Sequence, residues 1–272
     1  MVKWFKKIEF LIILCVMGVM GCERSTDLNL DLDTEIRLVV EAILTDEFQF
    51  QEINISNSYD ELNQNNTGVN QADVTVEVND LVYEFDALGD GRGVYQSREQ
   101  FAVVRDLEYK LKINWAGNEY QAISRLSDVA PMPVFNFLPY RGGDSLYLGN
   151  NIVPLFSATQ QSMYRFDVDW SHIHPGLNQA RMFYYTFSSV HNSQFIRPEA
   201  EDVPFPKGSI VRVTKYGLSD DFAQFLRAQV IETDWNGPIL YGNPENALTN
   251  ISGDGLGFFA TCAVLRDTLV AE

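Results

Sequence analysis

Residues 109–124, YKLKINWAGNEYQAIS, constrain the fold more than any other stretch. Tyr109, Leu111, Ile113 and Trp115 occupy alternate positions, with Lys110, Lys112 and Asn114 between them. A β-strand sends successive side chains to opposite faces, so this period of two makes one face buried and the other wetted. Gly117-Asn118 follows, an expected hairpin turn because both residues tolerate positive φ. ADVTVEV repeats the pattern, with Val74, Val76 and Val78 set against Thr75 and Glu77. LVVEAILT, from Leu38, is a short apolar run fit for a buried strand. Strands at this spacing, with turn signals between them, predict a β-sandwich over residues 35–130.

The polar stretch SNSYDELNQNNTGVNQ, residues 56–71, reads as a long loop at one end of that sandwich. Pro131 and Pro133 in SDVAPMPVF cannot sit in a central strand, so the domain boundary is placed there. A second β-rich domain is expected over 131–272. In it Tyr164, Phe166, Val168 and Trp170 alternate with Arg165, Asp167 and Asp169. RMFYYTFSSV, SIVRVTKYG and FFATCAVL are further strands, and 236–257 is a long loop rich in Gly, Asn and Pro. One helix is predicted near 219–232. Ser219 can cap it, Asp220 and Asp221 suit the positive end of its dipole, and Phe222, Phe225, Leu226 and Val230 share a face. The expected fold class is therefore mainly β: two β-sandwich domains, the second with one amphipathic helix.

The first 21 residues stand apart. Lys3, Lys6 and Lys7 precede the apolar run FLIILCVMGVM, which is too short to span a bilayer and has the form of a signal peptide. Val19-Met20-Gly21-Cys22 then matches the lipobox of a bacterial lipoprotein, with cleavage before Cys22 and acylation of its thiol. Several acyl chains on one residue anchor durably where a single chain holds only marginally. Residues 22–34 are polar with scattered Leu and read as a tether. Without the signal the chain keeps 17 basic and 36 acidic residues, a net charge of −19. Phosphate backbones and anionic lipid surfaces repel such a chain, so nucleic-acid binding and a basic membrane patch are discounted. Cys15 leaves with the signal and Cys22 becomes the anchor. Cys262 remains alone in an apolar run, as a small core residue with no disulfide partner and no thiol cluster for zinc.

Five constellations invite a chemical reading. Gly143-Asp144-Ser145-Leu146 resembles the nucleophile block of the GDSL hydrolases, and Asp169-x-x-His172 resembles their acid–base block. In that family the blocks lie near opposite ends of an α/β domain. Here one loop and one strand separate them, so no catalytic residue is assigned. His172 and His174 could share one side of a strand end, with His191 the only other histidine. Two ligands are too few for a tight zinc site, and no metal is assigned. DALGDGRG, residues 86–93, lacks the acidic rhythm and distal Glu of a calcium loop and reads as turn glycines. Trp115 and Trp170 are expected in the core, whereas Trp235, in DWNGP, falls in a predicted loop and is a candidate contact residue. Ser145 and Thr268, in Asp-Ser-Leu and Asp-Thr-Leu triplets, match the short O-glycosylation pattern of Bacteroidetes exported proteins.

The order of blocks resembles the Bacteroidetes outer-membrane lipoproteins grouped as domain of unknown function family 4249. The blocks are the lipobox Cys22, RLVVEAILTDE, VNQADVTVEVND, YEFDALGDGRGVYQS, YKLKINWAGNEYQA, the proline break, VRVTKYGLSDDFAQFL and the tail from NGP to GFFA. The first domain is also similar to Ig-like sandwiches of the transthyretin-like or carboxypeptidase-regulatory type. The resemblance implies genes beside TonB-dependent receptors and brings no catalytic residues with it, and no cofactor is expected. The resulting expectation is a non-catalytic binding lipoprotein anchored in the outer membrane through Cys22, with the cell surface favoured over the periplasmic face. It would assist a TonB-dependent β-barrel receptor in nutrient capture or import. The alternative is a structural or adhesive envelope component, or an accessory of outer-membrane assembly.

Overall fold

The computed structural model describes residues 36–58, 67–141, 143–149, 151–174, 176, 178–188, 202–233 and 248–272. The first half supplies β1 (Leu38–Thr45), β2 (Glu52–Asn57), β3 (Asp73–Val78), β4 (Leu81–Ala87), β5 (Val94–Ser97), β6 (Glu108–Trp115) and β7 (Asn118–Arg125). The second half supplies β8 (Leu138–Pro139), β9 (Ser145–Tyr147), β10 (Gln161–Asp169), β11 (Gln179–Thr186), β12 (Phe205–Pro206) and β13 (Ile210–Leu218). Helix α1 (Asp220–Thr233), β14 (Leu256–Cys262) and β15 (Val264–Val270) complete the order. The architecture is mainly β with one helix among the described residues, as expected.

The alternating residues do what their spacing demands. Val74, Val76 and Val78 from β3, Tyr109, Leu111 and Ile113 from β6, and Leu38, Val40, Ala42 and Leu44 from β1 meet in one buried cluster. Trp115 packs half-buried at its margin. The hairpin between β6 and β7 sits one residue earlier than expected. Trp115 pairs with Asn118, so the turn residues are Ala116 and Gly117, at φ 50° and 83°. Positive φ at both central positions is the twist-matched two-residue turn, and the non-glycine there is Ala116.

The sheet topology crosses the expected division at 130/131. The first sheet runs β14-β1-β2-β5-β4-β3-β6-β7, so its first strand comes from near the C-terminus. β14 pairs in parallel with β1, from Val39 opposite Leu256 to Thr45 opposite Cys262. The sheet curls until β7 lies beside β14. Ser127 N donates to the Thr261 carbonyl at 3.1 Å, Gln121 N to Ser252 Oγ at 2.8 Å, and Thr261 N to Ser124 Oγ at 3.0 Å. The proline segment therefore marks where the chain leaves this sheet. Within the expected 131–272 domain, β14 returns to it, and β15 then rejoins the second sheet.

The second sheet has the order β11-β10-β13-β15 and packs one face on the small sheet β12-β9-β8. Phe166 lies at the centre of that core, edge-on to Phe135 at 5.2 Å and to Tyr184 at 5.5 Å between ring centroids. Trp170 packs half-buried against the same core. Helix α1 begins where expected, with Ser219 Oγ accepting from Phe222 N at 3.2 Å. Phe222, Phe225 and Leu226 bury against Phe258, Ala260 and Cys262 of β14 and against Met163, Tyr216 and Leu218 of the second sheet. The helix thus touches strands of both sheets. Lys215 adds a second tie: its buried Nζ donates to the carbonyls of Ala130 and Pro131 at 2.9 and 3.0 Å, over the Tyr164 ring.

Cys262 is fully buried, as the sequence predicts, and desolvation pushes its thiol well above the usual range. Burial also raises Tyr95, Tyr109, Tyr164, Tyr185 and Tyr216. A raised folded value means that the native state keeps a proton the unfolded chain releases. Their contribution is complete below the ordinary values, 9.0 for the thiol and 10.0 for the phenols, and is lost as pH rises beyond them. Buried Lys215 is shifted down and acts in the opposite sense below 10.5, one group against six. Stability should therefore fall above pH 9, and Cys262→Ala should move the onset toward 10. Denaturant titrations across alkaline pH check this. In the wild-type protein a thiol reagent should label Cys262 only after unfolding; rapid labelling of native Cys262 would contradict its burial.

Candidate interaction surface

β10 and its partners turn their second face away from the small sheet. Register places Arg181, Asp167, Arg212 and Thr268 side by side across β11, β10, β13 and β15. The next row is Phe183, Arg165, Thr214 and Arg266, and the one after it is Tyr185, Met163, Tyr216 and Val264. Helix α1 and β14 pack on that third row, where Met163 and Tyr216 are buried. The first two rows keep Arg181, Phe183, Arg212, Arg266 and Thr268 exposed. Each strand reaches this face through ordinary alternation, because the residues between include the apolar ones of the core, such as Phe166, Val168, Val211, Val213 and Leu269.

Four arginines are thereby concentrated on one face. Arg165 Nε and Arg181 Nε donate to the two oxygens of Asp167 at 2.8 and 2.6 Å. Arg212 lies 3.9 Å from Asp169. Arg266 forms a fork-to-fork pair with Glu47, both bonds 2.6 Å, and reaches Thr214 Oγ1 at 3.4 Å. That pairing holds the Glu47 carboxyl below the usual carboxylate range and raises Arg266. The hydrogen bonds from Ser171 lower Asp169 in the same direction.

Glu47 belongs to the loop between β1 and β2, so the first sheet supplies one wall of this face. The loop is braced from within. Gln51 is 1% exposed, and its amide donates to the carbonyls of Thr45, Glu47 and Phe101 while its oxygen accepts from Thr45 N. A buried amide satisfied on both sides holds a loop rigidly. This loop presents Phe48, 72% exposed, next to Glu47, the carboxylate partner of Arg266.

The residues singled out by sequence fall elsewhere or at the margin. Cys22, His191 and Trp235 lie outside the described residues. Ser145 is half-buried in β9 opposite Pro206. His172 and His174 are in the turn after β10, beyond the strand end. The fold does bring the two GDSL-like blocks to one end of the molecule. Lys207 N donates to the Asp144 carbonyl at 3.2 Å, and the next residue, Gly208, has its carbonyl 3.0 Å from His172 Nε2. Among the described residues, however, Ser145 and His172 share no hydrogen bond, and the Asp169 carboxylate accepts from Ser171 N at 2.9 Å. The described residues contain no group of three His, Cys, Asp or Glu side chains placed to hold a metal ion. Asp90 of the glycine turn is engaged by Arg92. Of the two hydroxyls expected to carry a glycan, Thr268 is exposed on the arginine face, its amide covered by the Asp267 carboxylate at 2.8 Å.

Sequence reasoning missed this face, although Arg165, Asp167 and Asp169 were legible as one side of a strand. The signal was an arginine at a wetted position in each of four strands. Its meaning depends on which strands are neighbours.

No curated protein matches the chain. The family described as "Domain of unknown function (DUF4249)" matches residues 23–268, nearly the whole sequence, and the chain belongs to that family.

Proposed function

We propose that this protein is a lipid-anchored, non-catalytic binding protein of the bacterial outer membrane, accessory to a TonB-dependent receptor in nutrient capture or import. The binding role rests above all on the arginine-rich face of the second sheet, wetted on two rows and walled by a braced loop with an exposed phenylalanine. Rigid β scaffolds that present Arg and aromatic side chains suit recognition, because little order is lost on contact. The address rests on the lipobox before Cys22. No described helix is long and apolar enough to cross a membrane, which neither supports nor opposes a lipid anchor.

Cys22→Ser should move the protein from the membrane fraction to the soluble fraction and abolish incorporation of labelled fatty acid. Membrane retention of that variant would remove the proposed address. Tagged wild-type protein, solubilised in mild detergent, should copurify with a β-barrel receptor, and deletion should slow uptake of that receptor's cargo. Unchanged uptake with altered envelope integrity or adhesion would instead favour a structural role.

A further inference from the structure

We infer that the exposed rows of the second sheet, centred on Arg181, Arg212 and Phe183, are a docking surface for a protein segment that carries carboxylates beside apolar side chains. The inference rests on the binding role proposed above and adds the place and the chemistry. Three observations converge on it. The first is composition: Arg165, Arg181, Arg212 and Arg266 share the face with Phe183 and the partly buried Tyr185, and no lysine or glutamate of these four strands points there. Protein interfaces are enriched in Arg and aromatic residues and depleted in Lys and Glu.

The second is charge. Asp167, Asp169 and Glu47 pair with the four arginines and Asp46 is held at Val264 N beside them, so this face is near balance on a chain whose residues 22–272 carry −19. An acidic partner repelled by most of this surface is therefore steered to this face. The third is donor geometry. Asp167 is shared between two guanidinium groups, and each is bonded to it through Nε. A guanidinium carries several N–H donors in a planar fork, so each can also grip an incoming carboxylate. Arg181 and Arg212 are the most exposed of the four, at 61% and 57% of the side chain, and flank Asp167 on either side. Phe183, 47% exposed, lies in the adjoining row as the apolar anchor.

The test uses the mature full-length chain and a short synthetic peptide of alternating Glu and Phe, with polygalacturonate as a non-protein polyanion, in binding titrations at low salt. The peptide should bind and polygalacturonate should bind more weakly. Arg181→Glu combined with Arg212→Glu should weaken peptide binding by at least about tenfold, as should high salt. Phe183→Ala, which alters no charge, should weaken it as well. The matched pair Lys110→Glu and Arg125→Glu, on the wetted face of β6 and β7, should leave it unchanged. Thermal midpoints of all variants identify any that fail to fold, and Phe183→Ala decides the matter if the double arginine variant is one of them. No peptide binding, equal loss in the control pair, or preference for polygalacturonate overturns the inference. Copurification of a receptor with the Arg181→Glu, Arg212→Glu variant would also overturn it while leaving the proposed function intact. Failure of wild type and variant alike to bring down a receptor, with peptide binding preserved, would remove the function and keep the surface.

Discussion

Gly257→Ala should destabilise the protein by about 3–5 kcal/mol and loosen the pairing of β14 with β1. Gly257 sits at φ 91°, where an L side chain is strained, and an added Cβ would lie 2.0 Å from the Val40 carbonyl oxygen. That contact cannot be relieved by rotating a side chain, since the obstacle is the backbone of the neighbouring strand. Gly91 is the control. It has φ 79° but nothing within 4 Å of an added Cβ, so Gly91→Ala should cost only the conformational strain, about 1 kcal/mol. Urea unfolding of both variants separates strain from collision. Equal, small losses in the two would mean that β14 does not lie against β1 as described.

The second large effect is expected at Phe166. It is fully buried and edge-on to two aromatic rings, so Phe166→Ala should cost about 3–5 kcal/mol through lost transfer energy and the cavity left behind. The more informative outcome concerns cooperativity. β14 ties the far end of the chain into the first sheet, and α1 packs on strands of both sheets. Damage in the second core should therefore lower the unfolding midpoint of the first. Hydrogen exchange followed separately over β6 and β10 should show both losing protection together in Phe166→Ala. Loss confined to β10, with β6 unchanged, would show that the helix and β14 do not couple the two cores.

The strands of the first sheet were legible because half-burial writes itself as alternation, and Val74-Val76-Val78 and Tyr109-Leu111-Ile113 carry that pattern without ambiguity. The helix was legible for a similar reason: a serine cap, two aspartates in the first turn and a phenylalanine face are all local signals. The hairpin was displaced by one residue because Ala116, a poor candidate for positive φ, takes the first turn position when strand pairing sets Trp115 against Asn118. That the two GDSL-like blocks come near one another was not legible, because it takes the Lys207-Gly208 turn to link them, with the Gly208 carbonyl 3.0 Å from His172 Nε2.

What the amino-acid order decided alone is which residues of each strand face inward, where the helix starts and that Cys262 is buried. These depend on neighbours a few positions away, through side-chain alternation, capping and apolarity. Only the tertiary structure decided that β14 lies along β1 and that Arg165, Arg181, Arg212 and Arg266 share one face. Backbone hydrogen bonds between strands are nearly indifferent to the side chains they join, so many pairings suit the same alternation. The choice among them falls to packing between segments far apart in the chain: Phe258 and Cys262 against the helix, and Gly257 where the Val40 backbone of β1 leaves no room for a Cβ.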